Sequence, residues 1–127
     1  MVREKMALIG FTVFKDKILD GTKKQTIRKL RKKPVMVGER LHLYWKLRTK
    51  QCESLGSYTC KDTFRITIAG RNTILHSDGQ SDARLLSDDE IADLAVRDGF
   101  NNGGEMFVAL TKMHKNWEGE VFQVIRW

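Results

Sequence analysis

The sequence is poor in proline and cysteine and has no long apolar run, and each shortage narrows the field. Pro34 is the only proline in 127 residues. With 41% apolar and 31% charged residues, the composition is that of a folded globular chain and not of a linker or disordered tail. No uninterrupted apolar stretch approaches the roughly 20 residues of a membrane-spanning helix. The opening MVREKMALIGF has no long apolar segment followed by a small-residue cleavage site, so a cytoplasmic domain is expected.

Cys52 and Cys60 lie in a polar stretch, without the close Cys or His neighbours of a zinc site. They could pair if they faced each other across a hairpin; in a reducing compartment the reading is two free thiols. His42, His76 and His114 are scattered, and neither metal nor cofactor is expected. A chain of this length buries about two-thirds of the surface its unfolded form exposes, enough for one core and one domain spanning residues 1–127.

What the chain does have is positive charge, unevenly placed. The net charge is +7, yet residues 1–50 hold fifteen Lys and Arg against four acids, whereas residues 51–127 hold eight against twelve. Nine cations fall between Lys15 and Lys33, among them Lys23, Lys24, Arg28, Lys29, Arg31, Lys32 and Lys33, against only Asp16 and Asp20. Such a concentration draws polyanions by Coulomb attraction and counterion release. The plain alternative is a solvated basic face, but the run is not interleaved with acids, which favours anion binding. No continuous apolar stripe accompanies it, so a membrane surface is the weaker partner.

Ala7 to Phe14 is β-branched and aromatic and reads as a strand, followed by one or two helical turns over residues 15–20 and by Gly21 at the helix end. Gln25 to Arg28 reads as extended. Residues 40–45 alternate, with Leu41, Leu43 and Trp45 on one side and Arg40, His42 and Tyr44 on the other. Residues 47–55 read as a polar connection, Ser57 to Cys60 as a short strand, Phe64 to Ala69 as a clearer one, and residues 76–82 as a loop.

Ser87-Asp88-Asp89-Glu90 is a capping box that opens a helix closed by Gly99. A second helix is expected over residues 105–115 and a last strand over residues 121–127. Five or six strands with two or three flanking helices predict a small α+β, barrel-like fold.

In an extended Gln25–Arg28, Thr26 and Arg28 project from one face, and Gly21 permits a turn that aims Lys23 back toward them. An ammonium, a hydroxyl and a guanidinium meeting there can hold a phosphate, a carboxylate or the polar edge of a base. The spacing Gly21-x-Lys23-x-x-Thr26-x-Arg28 resembles the G-x-K-x-x-E-x-R signature of ASCH domains, relatives of the PUA RNA-binding domains. Context over most of the chain is similar, though only the eight-residue motif is specific. The resemblance implies a PUA-like β-barrel whose cleft takes RNA or a modified nucleoside.

Thr26 stands where the common signature has glutamate. That exchange resembles the branch of small acetylcytidine amidohydrolases, whose activity rests on a lysine, a threonine and a glutamate. By position the first two fall on Lys23 and Thr26. The acid falls late in the helix on Asp98, one methylene shorter, with Glu90 and Asp93 as alternatives. Lys23 would then take the proton of Thr26, Thr26 or an activated water would attack an acyl carbon, Arg28 or backbone N–H groups would stabilise the oxyanion, and Asp98 would protonate the departing amine. Binding of RNA or a nucleoside is the leading expectation, with deacylation of an N4-acylated cytidine or RNA cleavage as the rival. Tyr44 and His42 are placed to stack on a base or simply to occupy a half-exposed strand face. The segment Asp98 to Gly104 reads as a lid or an inter-helix loop.

Overall fold

The structure, a computed structural model, describes residues 6–70, 73–77, 84–118 and 120–127. Strand β1 (Met6–Phe11) alternates, with Ala7, Ile9 and Phe11 buried and Met6 and Leu8 exposed. Helix α1 (Lys15–Leu19) follows and buries Ile18. Strand β2 (Gln25–Lys29) belongs to a different sheet. β1 instead runs parallel to β3 (Arg40–Trp45), whose other side carries β4 (Glu53–Thr59) in antiparallel register.

The second sheet contains β5 (Asp62–Gly70), β6 (Thr73–Ser77), β7 (Arg84–Leu85) and β8 (Val121–Arg126), in the order β2-β8-β5-β6-β7 with antiparallel pairing throughout. Helices α2 (Asp88–Arg97) and α3 (Gly103–Met113) pack on this sheet.

β8 joins two cores because both of its faces are buried. Ile125, with Trp127 just beyond the strand, packs with Ile9, Leu41 and Leu43 under the small sheet. Phe122 and Val124 point the other way, against Ile66, Ile91, Leu94 and Met106. The period-two alternation of a strand thus serves two hydrophobic layers at once, each fully buried large side chain contributing about 2–3 kcal/mol. The α2 capping box forms as expected: the Ser87 hydroxyl accepts from Glu90 N at 3.2 Å, and the Glu90 carboxylate accepts from Ser87 N at 3.1 Å. Gly99, at φ +105°, ends the helix.

The α+β class holds, but the barrel-like expectation needs correcting. Eight strands appear among the described residues in place of five or six, and their hydrogen-bond ladders form two separate sheets, not one closed barrel. β1 and β2 are edge strands. Where a ladder would close them, arginine side chains take the strand carbonyls: Arg28 Nη2 donates to Gly10 O, and Arg31 Nη2 donates to Leu8 O at 3.0 Å. Guanidinium groups therefore span a gap that backbone pairing leaves open.

β4 begins at Glu53, inside the stretch read as a connection, and the β6–β7 pair was not foreseen. α3 spans residues 103–113 and starts two residues early, because the Asn102 side chain caps it by accepting from Glu105 N at 2.9 Å. Of the loop expected over residues 76–82, residues 78–82 lie outside the described part, and His76 and Ser77 belong to β6. Among the described residues no helix is long and apolar enough to cross a membrane. Cys60 is buried in the first core and Cys52 is exposed, both as free thiols.

Candidate functional site

The extended backbone of β2 sorts its side chains onto two faces. Gln25 and Ile27 turn toward α2 and the second core, while Thr26 and Arg28 turn toward β1. Gly21, at φ +82°, lets the chain leave α1 and enter β2 with Lys23 directed inward. The three motif side chains therefore line one cleft of about 520 Å³ between the end of β1, the face of β2 and the loop joining α2 to α3.

Lys23 is 2% exposed, and its charge is answered by the C-terminal end of α2. Its Nζ donates to Asp98 O at 2.5 Å and lies 3.4 Å from Asp98 Oδ2. Lys17 Nζ donates to Gly99 O at 2.5 Å. These carbonyls are left without intrahelical donors at the negative end of the helix dipole, which is why two lysines gather there. Gln25 completes the arrangement: its Nε2 donates to Leu94 O at 2.9 Å and to Asp98 Oδ1 at 3.2 Å, and its Oε1 accepts from Arg126 Nε at 2.9 Å.

Burial moves the ionisation of this pair in opposite senses. Loss of water pulls the Lys23 ammonium below the ordinary lysine range, an effect that Asp98 opposes and that Arg28 and Lys17 reinforce. Asp98, 5% exposed, is raised above the ordinary carboxylate range by burial, against the pull of Lys23 and the hydrogen bond from Gln25. Burial is thus the main cause of the Lys23 shift. Arg28 is lowered to about 10 by burial and by Arg31, and so stays charged at neutral pH.

Thr26 is held differently from the catalytic expectation. Its Oγ1 accepts from Arg28 Nε at 3.2 Å, and Lys23 is committed to Asp98, so among the described residues no base reaches the Thr26 hydroxyl. Its proton has no acceptor among the described residues, so that hydroxyl is free to donate to a ligand.

Aromatic rings wall the cleft. Arg28 lies 5.0 Å from the Phe11 ring centroid, and Lys23 lies 5.4 Å from that of Phe14. Phe14 meets Phe100 edge-on at 5.1 Å, and its backbone is left-handed at φ 63°. A Cβ at Gly99 would stand 3.1 Å from the Phe14 ring, so this corner admits only glycine without a shift. The α2–α3 segment thus forms one wall of the cleft and presents Phe100 there.

Lys29 and Arg31 stand on the cleft rim, with Lys29 3.9 Å from Glu120. Lys24 is exposed and does not line the cleft; its carbonyl accepts from Trp127 N at 3.1 Å. Lys32 and Lys33 line a neighbouring groove. Tyr44 lies on β3 opposite Gly10 and lines neither cavity, while His42 is bonded to Ser57 at 2.8 Å. Glu90 and Asp93 face the other side of the molecule, paired with Arg84 and Arg97, which leaves Asp98 as the cleft carboxylate.

Phe14, Gln25, Phe100 and His114 are site residues that the sequence reading did not single out. His114 lines the cleft from the end of α3, with its imidazole lowered by burial and then by Lys29 and Arg28. No spacing rule pointed to it, because its neighbours come from other elements. Among the described residues no group of three His, Cys, Asp or Glu side chains gathers that could hold a metal ion.

No protein-family model, curated protein or solved structure matches this chain.

Proposed function

We propose that the cleft binds a nucleoside unit of RNA, in keeping with the resemblance of Gly21-x-Lys23-x-x-Thr26-x-Arg28 to the ASCH signature. The observation that carries this reading is the meeting of the Thr26 hydroxyl and the Arg28 guanidinium with the Phe11, Phe14 and Phe100 rings in one cavity. The polar groups supply hydrogen bonds to a base edge, the rings supply π-faces, and the cationic rim attracts phosphate.

Binding of fluorescein-labelled single-stranded RNA, followed by anisotropy, tests it. The affinity is expected to fall steeply with salt, and to fall again in Arg28→Ala and Lys23→Ala protein that still folds. Absent or salt-independent binding of every RNA tried would remove the reading.

Deacylation of an N4-acylated cytidine stands second, favoured by the buried Lys23–Asp98 pair with its opposed ionisation shifts. On this reading Gln25 and Lys23 orient Asp98 and the substrate amide lies over Thr26. Turnover of N4-acetylcytidine that vanishes in folded Thr26→Ala would establish it. Hydrolysis equal in wild-type and Thr26→Ala protein would exclude it.

A further inference from the structure

Beside the cleft runs a larger groove of about 1350 Å³, which shares Gly10, Arg28 and Arg31 with it. Among the described residues its cations are Arg28, Arg31, Lys32, Lys33 and Arg48, and Glu39 is its only acid. Among the described residues none of the five makes a salt bridge. Glu39 is occupied: its Oε1 accepts from Met36 N at 3.1 Å.

The groove is also built firmly. Buried Gln123 holds both backbone groups of Val35, its Oε1 accepting from Val35 N at 3.3 Å and its Nε2 donating to Val35 O at 2.6 Å. The basic loop that carries Lys32 and Lys33 is therefore anchored to β8 just beyond Pro34. On the opposite rim Leu47 packs so closely on β1 that a Cβ at Gly10 would stand 2.9 Å from Leu47 Cβ, and this fixes the turn that presents Arg48.

We propose that this groove is the backbone-binding half of a two-part site: it takes the phosphodiesters of a single-stranded RNA, one nucleoside of which sits in the cleft, so the ligand is a strand and not a free nucleoside. The inference rests on the cleft reading above and extends it. Cations lie along a channel interleaved with apolar Leu8, Pro34, Met36 and Leu47, which suits a strand that offers both phosphates and exposed base faces. A duplex offers its outer surface mainly as phosphate and sugar, and has little use for the apolar part. Addition of a peptide strand along β1 is disfavoured because the Leu8 and Gly10 carbonyls already accept from Arg31 and Arg28.

The test compares cytidine 5′-monophosphate, a single-stranded RNA octamer and an eight-residue oligoglutamate, by calorimetry across a range of salt. The octamer is expected to bind tighter than the mononucleotide. With three or four further phosphates engaged, its log K against log salt should be steeper by about 2 to 3. Charge reversal by Lys32→Glu together with Arg48→Glu should cut the octamer's advantage by about tenfold or more. Both side chains are exposed, and an unchanged unfolding midpoint would show that the fold is intact. A mononucleotide that binds as tightly as the octamer would overturn the groove inference and leave the cleft reading standing. So would an octamer advantage that survives the charge reversal, or oligoglutamate that matches the octamer. Failure of both mononucleotide and octamer to bind would bring down the cleft reading, and the groove inference with it.

Discussion

Two cavities flank the sheet that carries β2 and β8, and they treat charge in opposite ways. On the far side, a pocket of about 640 Å³ beside Phe64 is lined by charges of both signs, most of them paired. Arg84 grips Glu90 at 2.8 and 2.9 Å, Arg97 meets Asp93 at 2.8 Å, and Arg126 lies 3.6 Å from Asp62. These pairs are largely solvated, and exposed pairs contribute roughly 0 to 1 kcal/mol each.

On the near side, Lys23, Arg28, Lys29 and Arg31 line a cleft whose only carboxylate among the described residues is Asp98, and the Lys23–Asp98 pair is taken out of water. Salt-bridge counts would rank the first region as the richer. The second holds the excess cation and the desolvation, and those two properties attract and orient an anionic ligand. Gln25 bridges the regions, with one end of its carboxamide on Asp98 and the other on Arg126.

Breaking the buried pair should show the sharpest contrast. Asp98→Ala leaves an ammonium without its carboxylate inside the protein and should cost about 3 to 5 kcal/mol in urea unfolding, whereas Asp93→Ala on the far side should cost under about 1 kcal/mol. Equal losses would show that the two regions do not differ in this way.

Gln25→Leu should come next, at about 1 to 3 kcal/mol, because it strips hydrogen bonds from Asp98, the Leu94 carbonyl and Arg126 with little change in volume. If the bridge is real, pairing Gln25→Leu with Asp98→Asn should be less costly than the two single losses added. Ser87→Ala removes the cap of α2 and should cost about 1 kcal/mol, read from the same unfolding curves.

The smallest effect belongs to Glu90. Its carboxyl is lowered from 4.5 to about 2, chiefly by the hydrogen bond from Arg84. The unfolded chain therefore takes up this proton at higher pH than the folded one. The stabilising contribution is complete above about pH 4.5 and is lost as pH falls toward 2. Glu90→Gln should flatten that part of the stability–pH curve, and an unchanged acid limb would show that the pair contributes nothing.

Elements with a strong local signal were legible in the chain. The β3 alternation, the Ser87–Glu90 box and the Gly99 stop each follow from a short window of residues. The pairing of Thr26 with Arg28 on one face followed from the period of an extended strand. Asp98 was reached through the motif's resemblance, and the structure puts it beside Lys23.

Other features depend on contacts far apart in sequence. β4 buries only Leu55 and so lacks an alternating pattern that would mark it. The two-layer role of β8 shows only once both cores are assembled. Nor could residue spacing reveal that Lys23 is held by a helix-end carbonyl 75 positions away, or that Phe14, Phe100 and His114 would share a cavity with Thr26.

The most direct trial is a residue-by-residue NMR titration of amide resonances with a short single-stranded RNA. Shifts are expected to concentrate at Thr26, Arg28, Phe100 and His114, with the amides of Arg84, Glu90 and Asp93 unmoved. Shifts gathered on the far pocket, or none at saturating RNA, would contradict RNA binding in the cleft.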